Sequence, residues 1–140
     1  MKKQIKKTKL IGDFEPDFLN MLKSRSFLDI DDANSSTYDI IIISEYAGEE
    51  KSVYKTELLL LPELEEYNIK IECGVALNLG MNPTATINYS SVDYETAILS
   101  INREVEVFNK NMIPQEIKTE YNQNFSIYNN LLINILDIIC

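Results

Sequence analysis

TYDIIIISEY, residues 37–46, sets four consecutive isoleucines between Asp39 and Glu45. Side chains along an extended chain alternate between two faces. Asp39, Ile41, Ile43 and Glu45 therefore share one side, and Tyr38, Ile40, Ile42, Ser44 and Tyr46 the other. The acidic residues fall at the ends and the middle is apolar on both faces, so the strand needs cover on both. That cover comes either from the chain's own helices or from another subunit.

Working outward, SVYKTELLLL (52–61) alternates through Tyr54, Thr56, Leu58 and Leu60 and stops at Pro62. The short AGEEKS link makes it the expected hairpin partner of the isoleucine strand. In YNIKIECGVALNL (67–79) every odd position is apolar, from Tyr67 through Cys73 to Leu79, the pattern of a strand buried on one face. Gly74 in its middle suggests a bulge. TATINY (84–89) repeats the alternation after a GMNP turn. DFEPDFLNMLKSRSF (13–27) reads as a helix with Asp13 or Glu15 near its cap and Pro16 in the first turn. Phe14, Phe18, Met21 and Leu22 share its face. LDIDDANSS (28–36) has the composition of a loop.

VDYETAILSINREVEVFNKNM (92–112) carries Tyr94, Ile98, Ile101, Val105, Phe108 and Met112 at helical spacing, with Ser90, Ser91 and Asp93 as cap candidates. REVEVF also suits a strand, so residues 97–108 stay open between helix and strand. A last helix is expected from near Gln115, with Ile117, Tyr121, Phe125, Tyr128, Leu132, Ile135 and Ile139 in one stripe. These elements predict an α+β two-layer domain: a four-stranded antiparallel meander with an N-terminal helix and two C-terminal helices. Residues 1–12 form a flexible basic tail and 13–140 a single domain. The layout resembles that of SecB-type export chaperones. The proline-tyrosine-arginine segment of such proteins is not found in YETAILSINREVEVF, so no functional residue is carried over.

The 140 residues carry a net charge of −9. Five of the 13 basic residues (Lys2, Lys3, Lys6, Lys7, Lys9) lie in the first nine positions, leaving 8 against 22 acidic side chains from residue 10 onward. So acidic a body repels phosphate backbones, which argues against nucleic-acid binding by the folded domain. No stretch is apolar for the roughly 20 residues of a membrane span, and the N-terminus lacks the apolar core of a signal peptide. A cytoplasmic protein without membrane attachment is expected.

Histidine is absent, which removes imidazole bases, Ser-His and Cys-His nucleophiles and imidazole metal sites together. Cys73 and Cys140 form no zinc spacing, and Cys73 reads as a core thiol. Asp29, Asp31 and Asp32 evoke a calcium loop. Counted from Asp29, however, Asn34 stands where glycine is required and Ile40 where glutamate is. Glu63, Glu65 and Glu66 crowd a turn without the setting of a paired-carboxylate active site. No phosphate-binding or nucleophile-elbow motif is present. No cofactor, metal or catalytic residue is expected.

What remains is a non-enzymatic acidic protein-binding module, an inhibitor of the antitoxin or immunity type meeting a basic partner through Glu63, Glu65, Glu66, Asp29, Asp31 and Asp32. The alternatives are an oligomeric chaperone with apolar client grooves and a small carboxylate-based enzyme. A homo-oligomer is expected, with Ile41, Ile43, Leu132, Ile135 and Ile139 in the subunit contact or the core.

Overall fold

The isoleucine run is a strand with a parallel neighbour on each side, in a computed structural model that describes residues 4–30, 35–45, 52–63 and 70–140. The chain divides into two compact units, Met1–Ala76 and Leu77–Cys140. Both units are built on β-sheet, and among the described residues two further strands form a separate ribbon.

The first unit contains β1 (Lys6–Ile11), α1 (Pro16–Lys23), β2 (Leu28–Ile30), β3 (Thr37–Ile43), β4 (Val53–Pro62) and the start of β5 (Lys70–Leu79). Its strands lie in the order β2-β1-β3-β4-β5. β1 runs parallel to β3, from Thr8 opposite Ile40 to Ile11 opposite Ile43, and β3 runs parallel to β4, from Thr37 opposite Lys55 to Ile42 opposite Leu60. Ile40 to Ile43 are all buried within the single chain. Ile11, Ile41, Ile43 and Leu59 join Tyr38 and Tyr54 in one core cluster, with Leu61, Ile71 and Cys73 packed against it. α1 forms where Pro16 places it, at the first turn after Glu15, and buries Phe18 and Leu22.

β1 consists of residues read from sequence as part of a tail. A lysine can lay its apolar stem along a sheet and keep its ammonium group in water, which lets it serve in a strand. Lys7 Nζ sits 5.4 Å over the Tyr38 ring and Lys9 Nζ 5.9 Å over that of Tyr54. Between them Thr8 is fully buried.

The second unit holds the end of β5, then β6 (Ile87–Val92), β7 (Thr96–Ile101), β8 (Val105–Val107), β9 (Lys110–Met112), β10 (Gln115–Glu120) and α2 (Ile127–Ile139). β6 and β10 flank β7, both antiparallel to it, and β6 bulges between Tyr89 and Ser91. β8 and β9 form the ribbon, turning through Phe108 (φ 52°) and Asn109 (φ 63°). Positive φ at both turn residues matches the twist of a two-residue hairpin.

The antiparallel meander with two late helices is therefore corrected to a mixed α/β fold. A strand apolar on both faces belongs inside a parallel region, which is buried on both sides. The hairpin inferred from AGEEKS does not form, since β3 and β4 are parallel. The first expected late helix is β7 and the β8–β9 ribbon. There Ala97, Leu99 and Ile101 are buried in alternation, as are Val105 and Val107. The last helix begins only at Ile127, where the Ser126 hydroxyl accepts from Asn129 N–H at 3.1 Å. Gln115–Glu120 before it is an edge strand, β10. No helix among the described residues is long and apolar enough to cross a membrane.

Candidate functional site

In the first unit, Thr37, Tyr38, Asp39, Lys55, Thr56, Glu57, Glu72, Cys73 and Gly74 line a groove of about 430 Å³. It lies at the starting ends of β3 and β4, closed on one side by β5. Gly74 permits that closure: a Cβ there would stand 3.1 Å from the Glu57 carbonyl oxygen. Asp39 is committed to the fold, because its Oδ2 accepts from the Lys7 backbone N–H at 2.8 Å. Burial pushes the Cys73 thiol up from its ordinary range, which keeps it protonated and a poor nucleophile at neutral pH. The groove therefore combines carboxylates and one lysine without an activated nucleophile. Among the described residues no three Cys, Asp or Glu side chains gather as a metal site.

In the second unit, Val92, Asp93, Tyr94, Tyr121 and Gln123 surround an open concavity of about 570 Å³. The hairpin between β6 and β7 builds it. Asp93 N–H donates to the Thr96 carbonyl at 2.8 Å, closing the turn, and Asp93 Oδ1 accepts from Tyr94 N–H at 2.8 Å. Tyr121 N–H donates to the Glu95 carbonyl at 2.9 Å, which fastens the chain after β10 to the hairpin. Tyr121 packs edge-on against Tyr89, ring centres 5.7 Å apart. The outer members stay in water: Tyr94 is 69% exposed and Val92 41%. Asp93 contributes the carboxylate of the lining, and Glu95 and Glu120 are exposed on the same hairpin and on the neighbouring β10.

A polar network ties this region to α2. Asn134 of α2 donates to the Tyr89 hydroxyl at 2.6 Å, to Thr119 Oγ1 at 3.1 Å and to the Glu120 carbonyl at 3.1 Å. Burial pushes the Tyr89 phenol well above its ordinary range. The Asn134 hydrogen bond pulls the other way, and Tyr121 adds to the rise. One turn earlier, Asn130 Nδ2 donates to the carbonyls of Asn122, Phe125 and Ser126, and its Oδ1 accepts from Asn122 N–H. These two asparagines hold the β10–α2 connection.

Of the acidic residues the sequence points to for partner binding, the two that are described, Asp29 and Glu63, line neither place. Asp29 is exposed on β2, opposite Lys7 of β1, and Glu63 is half-buried just beyond β4. Two strands, β1 and β3, separate their strands. Asp31, Asp32, Glu65 and Glu66 lie outside the described residues. Ile41, Ile43, Leu132, Ile135 and Ile139 are buried in the single chain, as core. A subunit contact or a client groove has no exposed surface to draw on at these five side chains. The helical spacing of Tyr94 with Ile98 and Ile101 conceals the concavity in the sequence, because Tyr94 stands in a turn between two strands. SSVDYE, standing between the alternating runs TATINY and TAILSI, was the available hairpin signal. No protein-family model, curated protein or solved structure matches the chain.

Proposed function

We propose that the protein is a non-enzymatic binding module that captures a basic protein, as antitoxins and immunity proteins do, through the Asp93–Thr96 hairpin. The observation that carries this reading is Tyr94, an aromatic side chain left 69% exposed in a concavity it shares with Val92 and the carboxylate-bearing Asp93. Tyrosine offers a large, stiff contact area with a polar tip and is enriched among the residues that dominate binding energy. Carboxylates around such an anchor steer a basic partner and raise its association rate. The chain's net charge of −9 extends the same attraction over distance. The protonated Cys73 thiol and the absence of histidine from the sequence fit a binding role better than catalysis.

The test is copurification from the native host followed by binding kinetics. One stoichiometric basic protein is expected, with an association rate that falls steeply between low and physiological salt. Tyr94→Ser should weaken the complex by about tenfold or more, as loss of an anchor side chain does. A complex indifferent to both salt and Tyr94→Ser, or turnover of a small substrate by the pure protein, would sink the reading.

A further inference from the structure

The open edge of β10 has a self-complementary pattern. Among the described residues β10 ends the strand order, with β7 as its neighbour in the sheet. Tyr121 N–H donates to the Glu95 carbonyl in line with the β7–β10 register, which fixes the phase of the ladder. Antiparallel neighbours alternate between residues that exchange both backbone bonds and residues that exchange none. Ile117 and Thr119 thus bond to β7, while the backbone N–H and C=O groups of Glu116 and Lys118 point away from it, along with the Glu120 N–H. The side chains of Glu116, Lys118 and Glu120 are all exposed, on the face opposite Ile117 and Thr119. An exposed strand edge of this kind is a template for another strand.

We infer that the occupant is a second copy of this chain, its β10 added antiparallel across a two-fold axis at Ile117. In that register Glu116 of each copy lies opposite Lys118 of the other, and each such pair exchanges both backbone bonds. Ile117 meets Ile117 in the non-bonded position, where side chains approach most closely. Glu120 falls opposite Pro114, and both are suited to sharing a single bond. Proline has no N–H to give, and the Glu120 carbonyl already accepts from Asn134. That leaves the Glu120 N–H to donate to the Pro114 carbonyl. The neighbouring registers with the same bonding phase set Glu116 against Glu116, or Lys118 against Lys118 with Glu116 against Glu120. Like charges directly opposite are destabilising. Charge therefore selects one register, and an interface between identical patches closes as a dimer.

Light scattering and sedimentation at tens of micromolar test this. The wild-type chain should show twice the 16.1 kDa of one copy. Glu116→Lys alone, carrying lysine at both positions, and Lys118→Glu alone, carrying glutamate at both, should each run as single chains. An equimolar mixture of the two should regain the doubled mass, as should the double variant carrying both changes. Recovery on mixing also shows that neither variant had merely misfolded. A monomeric wild type would overturn the inference and leave the edge to a different protein's strand. Single variants that still dimerise, or a mixture that fails to associate, would overturn it as well.

Discussion

Asn134→Leu should cost the protein about 2 kcal/mol of stability, the net cost of leaving a buried polar group without its partner. Leucine nearly matches asparagine in size but donates nothing. The Glu120 carbonyl belongs to an exposed residue and can turn to water, and the Thr119 hydroxyl keeps its bond to the Ala97 carbonyl at 3.2 Å. The loss therefore concentrates on the Tyr89 hydroxyl, on a residue only 3% exposed. Tyr89→Phe removes that hydroxyl but leaves Asn134 two acceptors, so its cost should be about 1 kcal/mol. Because the two groups share one bond, the double variant should cost about 1 kcal/mol less than the sum of the singles. Urea unfolding reads this out by tyrosine fluorescence, which eight tyrosines and no tryptophan make available. An Asn134→Leu chain that unfolds at the wild-type midpoint, or costs that add within about 0.5 kcal/mol, would refute the network as the tie between α2 and its sheet.

Tyr89 also predicts an alkaline limit. The unfolded phenol loses its proton near its ordinary value of about 10, while the folded one holds it to higher pH. Above that value the unfolded chain binds fewer protons, so stability is fully present below about pH 10 and falls as pH rises further. Tyr89→Phe should flatten that fall in alkaline urea titrations, and an unchanged slope would assign it to other groups. Gly74→Ala should destabilise by about 1 kcal/mol, because the new Cβ meets a strand carbonyl at 3.1 Å that cannot move aside cheaply. A neutral result would show that β4 and β5 can separate slightly. Cys73 should alkylate with iodoacetamide more slowly than a free cysteine at neutral pH, as its raised and half-buried thiol implies; a faster rate would point to an activated thiol in the groove.

The strands that bury one face or both were partly legible in sequence: β3 and β4 lie where their apolar patterns put them, β5 does so from Lys70 onward, and β6 begins three residues later than TATINY and runs on to Val92. Their pairing was not, because a short loop suggested a hairpin whereas the two-sided apolar run of Ile40 to Ile43 carried the information that its neighbours are parallel. β1 was hidden by its lysines, whose long apolar stems let a charged residue occupy an inner strand beside tyrosine rings. In 96–101 the buried set is Ala97, Leu99 and Ile101, a period of two. Ile98, chosen to make a helical stripe, is exposed. The acidic balance behind the proposed binding surface could be anticipated from composition, but its proposed anchor could not. Tyr94 matters because a turn leaves it in water, and that turn becomes visible only once β6 and β7 are recognised as strands.

The most direct measurement is backbone amide exchange of the protein with and without its copurified basic partner. Residues 92–96 and the stretch around Tyr121 should gain protection in the complex. Protection confined to the groove lined by Lys55 and Glu72, or to no part of the Asp93–Thr96 hairpin, would contradict a binding site built on Tyr94.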